Sequence, residues 1–138
     1  MAGVVKISEM VSIALHSMVF IAAKGEAERI NARTIAEATG ASEAHLSKTL
    51  QRLVKAGLVR SVRGPKGGFV LAKAAKDISL LDVYEAIEGP LVDDDCPHLK
   101  ECAFKTCILE NMNKRMNREF SEFLNQKKLD DFKGYLTK

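Results

Sequence analysis

Residues 30–71, INARTIAEATGASEAHLSKTLQRLVKAGLVRSVRGPKGGFVL, decide how this chain folds. Asn31 is placed to cap a short helix running through Ala38, and Gly40 suits a left-handed exit from it. Ser42 then caps a second helix that extends to about Ala56 and is closed by Gly57. Two helices separated by a turn of about three residues around a glycine form the signature of a helix-turn-helix. In the second helix Leu46, Leu50, Leu53 and Val54 share one face and anchor it to the body. Ser42, Glu43, Ala44, His45, Ser47 and Lys48 are left pointing outward, at the positions that reach base edges when such a helix enters a major groove. After Gly57 the chain reads LVRSVRGPKGGFVLAKAA, two β-prone runs joined by Gly64-Pro65-Lys66-Gly67-Gly68. That pattern predicts a hairpin with a basic tip, in other words a wing.

Charge follows the same division. From Arg29 to Lys76 ten basic residues (Arg29, Arg33, Lys48, Arg52, Lys55, Arg60, Arg63, Lys66, Lys73 and Lys76) face only Glu37 and Glu43. From Asp77 to Glu101 the balance inverts, with eight acids against Lys100. The net charge is only +3, so the asymmetry is the informative quantity. A basic segment of this kind suits a polyanion, although a solvated face is the plainer alternative. Glu37 and Glu43 read as helix-start carboxylates, because no nucleophile or paired acid accompanies them. No phosphate loop is present either, which argues against an enzyme.

Outward from this centre, Met10, Ile13, Ala14, Met18 and Ile21 follow helical spacing and predict a first helix from about Glu9 to Ala23, ended near Gly25. His16 falls within that apolar stretch and reads as a packed residue. Ser12, His16 and Ser17 interrupt the run, which is too short to cross a bilayer, and no small-residue cleavage site follows a basic start. A cytoplasmic protein is expected. Ser79 starts another helix, SLLDVYEAIEG, with Leu80, Val83, Tyr84 and Ile87 inward and Gly89-Pro90 as its stop. Ile108, Leu109, Met112, Met116, Phe120, Phe123 and Leu124 recur at helical steps over roughly five turns. A helix that long, appended to a domain with its own core, is expected to pack against a copy of itself; folding back on its own domain is the alternative. The tail is expected to return through Leu129 and Phe132. With 138 residues, 46% of them apolar, one ordinary core is possible. The expected fold is mainly α with a small β-hairpin wing: a winged helix-turn-helix over residues 1–89, a cysteine-containing loop at 90–107, and a dimerisation helix with its tail at 108–138.

All three cysteines lie in DDDCPHLKECAFKTCILE, residues 93–110. Five residues separate Cys96 from Cys102, and four separate Cys102 from Cys107, unlike the two-residue pairing of a zinc knuckle or a thioredoxin-like dithiol. A loop of this length can wrap three thiolates around one inorganic cluster. On spacing alone zinc, a redox thiol and plain structural cysteine stay open. His98 reads first as an exposed loop residue, and His45 as a contact to phosphate or base.

The run IAEATGASEAHLSKTLQRLVKAGLVRSVRGPKGGFVLAKAAKDISLLDVYEAIEG, with SVRGPKGGF as its most specific part, resembles the winged-helix repressors that include the iron-sulfur cluster regulator IscR and the nitric-oxide sensor NsrR. The likeness extends to VKIS near the start, the cysteine loop and the long helix, so it covers nearly the whole chain. The resemblance implies a homodimer on a pseudo-palindromic DNA operator, with no membrane partner and no small-molecule substrate. Base reading would fall on Ser42, Ala44, Ser47 and Lys48, with His45 and Arg52 on the same helix, and minor-groove insertion on Arg63. Lys66 would neutralise phosphate, while Gly64, Gly67 and Gly68 would let the wing approach the duplex closely. Ala44 departs from the polar residue some members carry, so the operator is expected to differ from theirs. The resemblance also implies an iron-sulfur cluster, 2Fe-2S or 4Fe-4S, held by Cys96, Cys102 and Cys107 and controlling operator affinity; a sample purified in air need not retain it. The second gap is one residue shorter than in many cluster-holding members. The family's fourth ligand varies: Glu110 stands where one branch has histidine, and Ser12 where another has an aspartate from the partner subunit. Glu110 leads as the fourth ligand, one helical turn beyond Cys107, ahead of Asn111 and His98. The alternative is a metal-free repressor of the same family, controlled by a protein partner or by thiol redox state.

Overall fold

The computed structural model describes residues 7–25, 28–91 and 102–136. Helix α1 spans Glu9–Lys24, with the Ser8 hydroxyl accepting the Val11 N–H and Gly25 ending it. Val11, Ala14, Met18 and Ile21 are buried on its core face. His16 is exposed rather than packed. It projects away from that stripe, and its Nδ1 lies 2.7 Å from the Ser12 carbonyl oxygen one turn earlier.

Helix α2 covers Ala32–Thr39 and is capped by Asn31, whose Oδ1 accepts the Thr34 N–H at 2.8 Å. Gly40, at φ 76° and ψ 8°, turns the chain in the left-handed region where glycine carries no Cβ penalty. Ser42 caps helix α3, Glu43–Lys55, accepting the His45 N–H at 3.2 Å. Each such cap is worth about 1 kcal/mol. Leu46, Leu50 and Leu53 are fully buried and join the core shared with α1. Strands β1 (Val59–Val62) and β2 (Gly68–Leu71) pair antiparallel, with Val59 opposite Leu71 and Val62 opposite Gly68. The hairpin is also tied down at its side. Ile30 forms an antiparallel bridge with Phe69, through Phe69 N–H to Ile30 O at 2.8 Å and Ile30 N–H to Phe69 O at 3.2 Å.

Helix α4, Leu80–Glu88, begins in a reciprocal capping box between Ser79 and Asp82. Helix α5 spans Met112–Gln126. It starts later than the apolar spacing predicts: Ile108 and Leu109 lie in a turn before it, because Glu110 and Asn111 take positive φ angles of 52° and 60°. After α5 the chain returns. Lys128 bridges to Ser79, Leu129 is fully buried in the core, and a 3-10 segment, Leu129–Tyr135, lies against α1. Among the described residues the fold is therefore mainly helical with one hairpin, a winged helix-turn-helix followed by a long helix. Among the described residues no helix is long and apolar enough to cross a membrane.

Candidate nucleic-acid interface and cysteine segment

Burial divides α3 cleanly. Leu46, Thr49, Leu50 and Leu53 face the core, whereas Ser42, Glu43, Ala44, His45, Ser47, Lys48 and Arg52 are exposed. The first four of those outward residues sit at the amino end, where backbone N–H groups and the helix dipole favour a polyanion. Ser42 spends its oxygen on the helix cap, which leaves its hydroxyl hydrogen able to donate. His45 is held from outside the motif: its Nδ1 lies 3.1 Å from Oε1 of Glu9, in the first turn of α1. Nothing in the local spacing signals that pair, which joins residues 36 positions apart.

The wing supplies a second cationic edge. Arg63 follows β1 directly and is exposed, as are Arg60 and Lys66. The turn is closed by the Gly67 N–H donating to the Gly64 carbonyl at 2.9 Å. Between Glu43 and Asp77 the chain has no carboxylate, so beyond Glu43, its first residue, α3 and the wing carry only positive side-chain charge. The wing glycines have an internal reason to be glycine. A Cβ on Gly68 would sit 2.6 Å from the Ile30 carbonyl oxygen, and one on Gly67 would collide with the Val62 carbonyl oxygen. Close approach here is thus between two backbone segments of this chain.

Arg52 has a protein partner. Its Nη1 donates to the Ile87 carbonyl at 2.9 Å, fastening the last turn of α3 to the last turn of α4. The same end of α4 holds two further bonds: Ser8 Oγ donates to Glu88 Oε1 at 2.8 Å, and Leu91 N–H donates to Glu85 Oε2 at 2.9 Å. Residues leading into the cysteine segment are therefore connected to both α1 and α3.

Cys96 and His98 lie outside the described residues. Cys102 is exposed and Cys107 half-buried, and neither forms a disulfide. Glu110 closes a turn on Cys107, its N–H donating to the Cys107 carbonyl at 3.1 Å. The carboxylate and the thiol thus share one tight turn, in place of the helical turn expected from the apolar spacing. Asn111 follows as the first residue outside α5, and its side chain makes no capping bond. Ser12 is half-buried on α1, with Oγ 3.4 Å from His16 Nδ1. Among the described residues no three His, Cys, Asp or Glu side chains converge as a metal-ligand group.

Helix α5 shows two faces. Leu124 is buried, and Phe120 meets Tyr84 of α4 edge-on, with ring centroids 5.3 Å apart. Burial, and then the neighbouring Glu88 carboxylate, raise the Tyr84 phenol above its ordinary range. On the outer side of α5 Met112, Met116 and Phe123 are exposed, and Ile108 and Phe104 of the segment before α5 are 74% and 66% exposed. Grouped exposed apolar side chains are a feature of interaction surfaces.

Comparison with known proteins accounts for this architecture. Residues 7–134 match Rrf2, described as iron-dependent transcriptional regulator. The chain belongs to the Rrf2 family. Its relatives include the HTH-type transcriptional regulator IscR of Pectobacterium carotovorum, 29% identical over 91% of this chain and 72% of that protein. Among solved structures, CymR, the global cysteine regulator of B. subtilis, superposes with a TM-score of 0.81 at 26% identity, covering 96% of this chain and 98% of CymR. IscR of T. potens superposes with a TM-score of 0.78 at 29% identity, covering 94% and 86%. Rrf2 proteins are DNA-binding transcriptional regulators rather than enzymes, and the outward α3 and the basic wing of this chain are the parts that fit that role.

Proposed function

We propose that this chain is a homodimeric, operator-binding regulator, acting as a repressor, whose affinity for DNA is set by an iron-sulfur cluster. The observation that carries the DNA reading is the surface of α3 and the wing, in which Glu43 is the one carboxylate against six basic side chains, followed in the chain by an acidic segment at 77–101. Ser42, Ala44, His45, Ser47 and Lys48 would face base edges in the major groove. Arg63 would enter a narrow minor groove, where negative potential is enhanced, and Lys66 would neutralise phosphate. The apolar stripe of α5 would be covered by a second copy, which sets two recognition helices at a spacing suited to a pseudo-palindrome.

The donor set suits the cofactor. Three thiolates favour iron-sulfur chemistry, and the carboxylate of Glu110, in one turn with Cys107, is a hard fourth donor. Cys96, Cys102, Cys107 and Glu110 would hold the cluster, which when bound would supply a redox-active centre of the kind a sensor needs. The chain's own part is mechanical. Residues just before the segment are bonded to α1 and α3 through Ser8–Glu88 and Arg52–Ile87, so a rearrangement there would alter how α3 is presented. A change of about 1–3 kcal/mol between two arrangements shifts affinity some 5- to 150-fold.

The exposed Cys102 thiol, together with the likeness to a cysteine regulator, supports a second reading: control by thiol oxidation or by a partner protein, without metal. Anaerobic purification with visible absorbance and iron and sulfide analysis separates the two. The cluster reading expects a brown protein whose iron is lost in Cys102→Ala; equal iron in both proteins refutes it. Operator binding that is tight and indifferent to cysteine substitution favours control by a partner. Thiol-redox control instead expects metal-free binding that changes on oxidation and ceases to do so in Cys102→Ala.

A further inference from the structure

The contact between Glu9 and His45 bears on which ring nitrogen of His45 carries the proton. An ionised carboxylate only accepts hydrogen bonds, so on the neutral imidazole Glu9 Oε1, 3.1 Å from Nδ1, favours the tautomer protonated at Nδ1. Nε2 then presents a lone pair and, among the described residues, has no partner. His45 is the third residue of α3, its backbone held by the Ser42 cap, and its side chain is 58% exposed. The rest of its surroundings come from Met10 and Ile13 of α1 and from Lys48 and Thr49 of α3. An unprotonated Nε2 cannot bond a phosphate oxygen, because both are acceptors, which leaves a donor on a base edge as its partner.

Taking the operator-reading role of α3 as given, we infer that Glu9, outside the helix-turn-helix, is a specificity-determining residue that makes His45 an acceptor. The ring would read an exocyclic amino group, N6 of adenine or N4 of cytosine, and would reject the carbonyl edges of guanine and thymine. Glu9 is a positioning residue here. It touches no base.

Nitrogen-15 spectra of the full chain, free of DNA at pH 8.5, measure the tautomer directly. Wild type and Glu9→Gln, whose amide oxygen still accepts, are expected to hold the proton on Nδ1, and Glu9→Ala to move it towards Nε2. Selection from duplexes randomised at the operator then reads base preference. Wild type and Glu9→Gln should favour adenine or cytosine at one position per half-site by about three- to tenfold, the worth of one hydrogen bond. Glu9→Ala should lose that preference while keeping the others, and should have no further effect in a His45→Ala background. A wild-type ring protonated at Nε2, or identical preferences in all three proteins, overturns the inference. Absence of selective duplex binding overturns instead the operator reading beneath it; the nitrogen spectrum, which needs no DNA, tells the two failures apart.

Discussion

Replacing Arg52 with alanine asks whether a basic residue on the DNA-facing helix serves the fold or the phosphate backbone. The bond from Nη1 to the Ile87 carbonyl is 2.9 Å long, and that carbonyl belongs to the last turn of α4, where no intrahelical donor remains for it. A hydrogen bond from a charged donor is worth about 1.5–3 kcal/mol. Arg52 is exposed, so solvent screening and replacement by water discount the loss to about 1–2 kcal/mol. Arg52→Ala is expected to lower unfolding stability by that amount in urea, followed by far-ultraviolet circular dichroism at one fixed protein concentration, since the chain has no tryptophan. Operator affinity should fall because α3 is no longer fastened to α4, yet the dependence of log K on log salt should keep its slope. Arg52→Lys, a flexible point donor, should retain the slope and recover only part of the stability. Unchanged stability, with a slope shallower by about 0.9 for each protomer, would refute the reasoning and make Arg52 a phosphate contact.

Three further outcomes are expected. Gly68→Ala places a methyl group 2.6 Å from the Ile30 carbonyl and should cost about 1–3 kcal/mol in the same urea titration, with an unaltered midpoint refuting the packing argument. Phe123→Asp, on the exposed stripe of α5, should weaken self-association by at least about thirtyfold in sedimentation equilibrium while far-ultraviolet dichroism is retained; an unchanged dimer moves the interface elsewhere. The folded Tyr84 phenol is raised by burial and then by Glu88, so its contribution is complete below the ordinary phenol range and is lost as pH rises through the folded value. Tyr84→Phe should therefore flatten the alkaline decline in stability; a decline identical to wild type would remove Tyr84 as its source.

The legible parts were those whose chemistry is local. Asn31, Gly40, Ser42 and Ser79 each act on backbone groups within a few positions, and each stands where its cap or turn was expected. The start of α5 was not legible, because apolar spacing through Ile108 and Leu109 continues across a turn where Glu110 and Asn111 reverse the backbone. Periodicity reports which residues are apolar, and a short break in the dihedral angles leaves it intact. His16 misled for a related reason: a neighbour in sequence to buried residues lies on the opposite side of a helix.

By itself the amino-acid order determined the capped helices, the basic hairpin, the polarity of α3 and the grouping of the thiols, since these rest on side chains acting on their own or adjoining turns. Only the tertiary structure decided that Gly68 must clear Ile30, that Arg52 bonds to the end of α4 and that Glu9 orients His45. Those contacts join residues 35 or more positions apart, and chain folding alone brings their atoms within bonding distance.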